Sequence, residues 1–192
     1  MSYKEWISAI AILITIVGFF PYIRSIIRGV GKPHVFSWVI WGIATLVVFA
    51  AQLEDEGGAG AWPIGVSGAI TLYVAMLAYL KRAEITVVRM DWMFLCLALA
   101  SIPLWYVTSD PLIAVIIVST MEVLGFGPTL RKSYSDPFGE NLTFFILFFV
   151  RNVLAIVALE NFSLTTLLFP VVASGACLVL LSVIITRRRM VS

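Results

Sequence analysis

The sequence predicts an all-α integral membrane protein, with seven transmembrane helices arranged as two parallel three-helix units joined by a linker helix. Three observations predict it. Of 192 residues, 61% are hydrophobic and only 12% charged, against about 45–50% and about 25% in an ordinary globular domain. The apolar residues fall in long uncharged runs rather than in the alternation that one wet face would require. The chain also matches itself without a gap at an offset of 107 residues, from Gly18 to Gly125 onward, a sign of duplicated helical units.

The spans fall at about 6–24, 36–52, 63–80, 92–107, 112–130, 142–159 and 164–186, each close to what a tilted helix needs to cross a bilayer. The first follows Lys4-Glu5 and ends at Pro21-Tyr22-Ile23-Arg24. It lacks a basic leader and a small-residue cleavage site, so it reads as a retained span. The second ends before the acidic, Gly-rich tract Glu54 to Ala61, which reads as a loop. The third runs to Lys81-Arg82. Asp91 is the expected N-cap of the fourth, and Asp110-Pro111 opens the fifth with a capping carboxylate and a proline at the first helical position. Once the sixth and seventh are subtracted, no soluble domain remains.

Charge orients the spans. Arg24, Arg28 and Lys32 follow the first, Lys81, Arg82 and Arg89 the third, Arg131 and Lys132 the fifth, and Arg187, Arg188 and Arg189 the seventh. The alternate loops contain no Lys or Arg, so eleven of the thirteen basic residues share one side. The positive-inside rule makes that side cytoplasmic. An odd number of spans then puts the N-terminus outside and the C-terminus in the cytoplasm, with the inner (plasma) membrane of a bacterium as the expected location.

The repeat is specific at two places. Gly18-Phe19-Phe20-Pro21-Tyr22-Ile23-Arg24 falls on Gly125-Phe126-Gly127-Pro128-Thr129-Leu130-Arg131. Pro63-Ile64-Gly65-Val66-Ser67-Gly68-Ala69 falls on Pro170-Val171-Val172-Ala173-Ser174-Gly175-Ala176, and Lys81-Arg82 on Arg188-Arg189. The organisation is therefore a first three-helix unit over 1–82, a linker span over 83–108 and a second unit over 109–192. The linker restores orientation, so that the units run parallel.

With Gly and Pro late in the first span of each unit and a basic loop behind them, the chain resembles the SWEET and PQ-loop transporter superfamily. Its architecture is also similar to that of PnuC-type vitamin transporters. The resemblance implies alternating access to a solute cavity between the units, with Pro21 and Pro128 as hinges. In that family a glutamine follows the proline, where Tyr22 and Thr129 stand here. Sugar-carrying members have an Asn in the third span of each unit, where Ser67 and Ser174 lie.

The candidate binding residues come from polar groups inside apolar runs. Glu122 lies about ten residues into the fifth span and Arg151 about nine into the sixth, which puts both near mid-bilayer at about 1.5 Å per residue. Each should face the protein interior and is the other's obvious partner, so an ion pair is expected, structural or functional. Thr15 and Ala44 stand at the matching positions of the first unit. Trp41 and Thr45 share one face of the second span with Trp38. Trp38 reads as an interfacial anchor, and Trp41 as an anchor or a stacking surface for a ring. Asn152 matches Thr45 at the repeat offset. Ser67 and Ser174 sit in small-residue runs that ordinarily serve close helix packing and can add hydroxyls to a cavity.

A net charge of +2 without a basic, aromatic-laced stretch argues against nucleic acid. Cys96 and Cys177 lie in apolar runs and read as small hydrophobes. His34 reads as a solvated loop residue. No metal or other cofactor site and no nucleophile with a base is evident, so an enzyme is not expected. The last span has no lysine for retinal. The expectation is a carrier, facilitated or proton-coupled, for a small polar solute, with the bilayer as its other partner and a homo-oligomer left open. The alternative is a non-transporting sensor, scaffold or assembly factor.

Overall fold

The computed structural model describes residues 2–29, 35–81, 89–135, 137–138 and 142–191. Lys32, His34 and Arg82 lie outside them, as does the expected boundary between the first unit and the linker. The described residues form seven α-helices: α1 (Tyr3–Ile27), α2 (Val35–Glu54), α3 (Trp62–Leu80), α4 (Arg89–Thr108), α5 (Pro111–Ser135), α6 (Leu142–Ala158) and α7 (Leu164–Val191). Each expected span lies in one of them, except that the sixth runs one residue past α6, at Leu159. A 3₁₀ turn at Gly58–Ala61 gives the Gly-rich loop local order just ahead of α3.

Among the described residues, four segments are long and apolar enough to cross a membrane: α1, α2, the 3₁₀ turn with α3, and α7. Shorter apolar stretches lie at Trp92–Thr108, Pro111–Gly127 and Leu142–Ala158. The 17 residues of α6 rise about 26 Å, a few ångströms less than a hydrocarbon core of about 30 Å. This is an integral membrane protein built of apolar helices.

Polar side chains set the helix ends. Ser2 and Glu5 form a capping box at α1, with the Glu5 amide donating to Ser2 Oγ and the Ser2 amide to Glu5 Oε2 at 2.7 Å. Asp110 accepts from the Leu112 amide at 2.9 Å, as its place before Pro111 implied. Asp91 does not start α4. That helix begins at Arg89 and is already under way there. At α7, the Thr166 amide donates to Ser163 Oγ and the Ser163 amide to Thr166 Oγ1.

Helix α3 packs against both α1 and α2, and α7 against both α5 and α6. Between these groups α1 lies on α6 and α2 on α5, while α4 rests on α5 and α2. Small residues set the closest contact. A Cβ on Gly65 would come within 2.8 Å of the Phe49 ring, one on Gly68 within 2.9 Å of Leu46, and one on Gly42 would overlap Leu72. The matching run in α7 packs differently, because Gly175 has nothing within 4 Å of its Cβ position. Val47, Val48 and Ala51 of α2 meet Ile64, Ala114, Val115, Val118 and Phe169 in the largest apolar cluster.

Contacts between helix ends fix which ends lie together. Trp38 at the start of α2 stacks on Tyr22 late in α1, and Phe36 meets Trp92 at the start of α4. Arg187 late in α7 donates to the Tyr134 carbonyl near the end of α5. Arg24, Arg28, Lys81 and Arg187–Arg189 thus collect at one end, the basic end. The opposite end is closed by a collar of hydrogen bonds. Lys4 donates to the Leu159 carbonyl at 2.6 Å, Ser8 to the Ala59 carbonyl at 2.6 Å and Gln52 to the Thr166 carbonyl at 2.7 Å. Ser163 bonds the Asp55 carboxylate, and Asn161 donates to the Asp55 carbonyl at 3.0 Å. Tyr3, Trp6, Trp62 and Tyr106 are exposed near the collar end, and Tyr79, Trp92 and Tyr134 near the basic end. Rings with a polar handle favour such interfacial depths.

Candidate binding cavity

A cavity of about 220 Å³ lies between α1–α3 on one side and α5 and α6 on the other, with Phe169 of α7 at its edge. A single water needs only about 10–15 Å³ by this measure, so the space suits a small solute. Its wall begins near the basic end, at Trp38 and Phe144, each within the first turn of its helix, and at Thr129 of α5. It reaches inward to Thr45, Ser67, Thr71, Glu122 and Arg151.

Five of the seven expected binding residues line it: Arg151, Glu122, Trp41, Thr45 and Ser67. Asn152 does not. It is fully buried, donates from Nδ2 to the Phe148 carbonyl at 3.0 Å, and has no hydrogen-bond partner at Oδ1. One residue along a helix is a turn of about 100°, and in α6 that turn takes Asn152 away from the wall that Arg151 lines. Ser174 is also outside the wall, its hydroxyl donating to the Pro170 carbonyl at 2.7 Å. The two serines match in sequence and not in environment.

The direct ion pair expected between Glu122 and Arg151 is not formed among the described residues. The Arg151 guanidinium instead lies 4.3 Å from the centre of the Phe148 ring, a cation–π contact. Arg151 is 2% exposed, yet Nε and Nη1 find no hydrogen-bond partner. Glu122 is half-buried and enters the same cavity from α5. Both ionisable groups therefore face the internal space, as their cost in lipid requires, but they do so separately.

Aromatic side chains form most of the wall, and the sequence reading missed most of them. Phe19, Trp38 and Trp41 come from α1 and α2, and Phe126, Phe145 and Phe148 from α5 and α6. These are three pairs at the 107-residue offset: Phe19 with Phe126, Trp38 with Phe145, and Trp41 with Phe148. That offset was the signal that would have found them. Trp38, expected as an anchor, stacks on Tyr22 with centroids 5.0 Å apart and planes at 22°, and meets both Phe19 and Trp41 edge-on.

Pro21 and Pro128 lie inside continuous helices. Pro21 is exposed on the outer surface of α1. Proline also interrupts the hydrogen-bond ladders of α4 at Pro103 and of α7 at Pro170. Pro63, the sequence match of Pro170, stands instead in the first turn of α3.

No family model, curated protein or solved structure matches this chain. The chemistry of the cavity therefore carries the functional argument. It offers one buried guanidinium, one carboxylate, four hydroxyls (Thr45, Ser67, Thr71 and Thr129) and aromatic faces. Such a set can bind and orient a solute.

Proposed function

We propose that the protein is a seven-span carrier moving a small polar solute across a bacterial plasma membrane by alternating access. Its moving parts are two parallel three-helix units, α1–α3 and α5–α7, with α4 as linker, Pro21 and Pro128 as hinges, the N-terminus outside and the C-terminus in the cytoplasm. The observation that carries this reading is a cavity between the two groups of helices, with Arg151 buried on its wall and no hydrogen-bond partner at Nε or Nη1.

The packing order supports the two-unit description. In each group the first and second helices pack on the third, and α1 on α6 is answered by α2 on α5, as a pseudo-twofold axis along the membrane normal would require. The aromatic pairs at the 107-residue offset support the same description, three rings coming from α1 and α2 and three from α5 and α6. The collar at one end and the cavity's start near the other correspond to a state open to the cytoplasm, given the positive-inside orientation. The likeness to the SWEET and PQ-loop superfamily points the same way. A catalytic reading has less support, because the wall offers no nucleophile with an adjacent base.

The test is uptake into proteoliposomes over a broad panel of small metabolites. Saturable flux of at least one solute is expected, and it should be lost in Arg151→Ala. Absence of saturable flux for every member would replace the carrier with a sensor, scaffold or assembly factor on this fold.

A further inference from the structure

Resting on the carrier reading, we infer that the cavity takes a flat, ring-bearing zwitterion, a solute of one or two rings that carries a carboxylate at one point and an ammonium group at another. The charges of the wall argue for the two poles. Arg151 from α6 and Glu122 from α5 enter the same space, and among the described residues no ion pair joins them, the guanidinium lying instead against the Phe148 ring. Arg151 is nine-tenths buried and more, with Nε and Nη1 unpartnered. A buried donor left unmade is costly, and carboxylate oxygens are the acceptors that match a planar guanidinium best. An ionised Glu122 only accepts hydrogen bonds. It therefore opposes an anion in the same cavity and complements a cationic nitrogen.

The two formal charges sum to zero, which is why a zwitterion suits the cavity better than a simple ion. A plain anion satisfies Arg151 but meets Glu122, and a plain cation does the reverse. A solute with both poles satisfies both groups and adds no net charge to a low-dielectric site, where an uncompensated charge is expensive. Both charges also stand where the first unit has uncharged Thr15 and Ala44. Six rings of the wall thus fall in pairs at the 107-residue offset, while both charges stand on one side only.

The ring requirement comes from the wall. Trp41 is 44% exposed although it lies in the interior half of α2, and Phe148 turns one face to Arg151. Aromatic faces from both groups of helices prefer offset-stacked or edge-on ring contacts. An aliphatic zwitterion would leave them against water.

Four probes separate these terms: phenylalanine (a ring and both poles), phenylacetate (a ring and the anion), phenethylamine (a ring and the cation) and alanine (both poles and no extra ring). Full-length protein in detergent is titrated with each by calorimetry. Phenylalanine is expected to bind saturably and at least about tenfold tighter than each of the others, about the worth of one charge-assisted hydrogen bond. Glu122→Gln should invert the order between phenylalanine and phenylacetate, and Arg151→Gln should favour phenethylamine. Should Arg151→Gln fail to assemble, the inversion in Glu122→Gln still decides, since loss of structure does not exchange two preferences in one folded protein. Equal binding of alanine, equal binding of either single ion, an order unchanged by Glu122→Gln, or no binding of any probe would each overturn the inference. Binding of phenylalanine without its flux in proteoliposomes would keep this site and remove the carrier. Flux of other solutes without phenylalanine binding would keep the carrier and remove the zwitterion.

Discussion

A cationic side chain at the centre of a bilayer costs at least about 2.5–3.5 kcal/mol on insertion scales, and Arg151 offsets little of this through protein hydrogen bonds, since Nε and Nη1 have none. Its replacement should therefore not cost stability in the way that breaking a buried ion pair does, at about 3–5 kcal/mol. Arg151→Ala is expected to keep or raise the melting temperature in detergent while abolishing uptake. A sharp fall in melting temperature would assign the guanidinium a structural role instead. At this scale the sequence identified the charges, because an ionisable residue in an apolar run must turn inward. It did not separate Arg151 from Asn152 or Ser67 from Ser174, because which face of a helix meets a cavity depends on how its neighbours are rotated.

Helices α2 and α3 approach so closely that glycine is required at the contact, with Phe49 and Leu46 filling the space that side chains on Gly65 and Gly68 would occupy. Gly65→Val should destabilise by about 1–3 kcal/mol, the range for overpacking a tight interior, whereas Gly175→Val should be nearly neutral. Thermal unfolding of the two variants in the same detergent compares them directly. The sequence presented these runs as equivalents. They differ because a small-residue patch serves close packing only when a neighbouring helix covers it, and Gly175 has no neighbour. Proline acts on the same level. Pro21→Ala and Pro128→Ala restore a hydrogen bond within α1 and α5, and should slow turnover in uptake assays more than they weaken ligand binding. Equal losses of both would argue against hinges.

Across the whole molecule, the collar ties α1, α2, the 3₁₀ turn and the segment between α6 and α7 at the end opposite the basic residues. Alternating access requires this collar to part. In a background of Cys96→Ser and Cys177→Ser, cysteines at Asp55 and Ser163 joined by a reducible bridge should stop flux and leave ligand binding in place, and reduction should restore flux. Undiminished flux through the bridged protein would show that this end does not open. By itself the sequence determined the all-helical class, the apolar solvent of the helices, the charge asymmetry of their ends and, to within a few residues, where the described helices lie, because each depends on composition and spacing along one strand of chain. Only the tertiary structure decided that Arg151 and Glu122 form no direct ion pair among the described residues, that one serine lines the cavity and its counterpart does not, and that six rings matched at the 107-residue offset share a wall. Those outcomes depend on how each helix is rotated against its neighbours, and a one-residue difference there turns a side chain by about 100°.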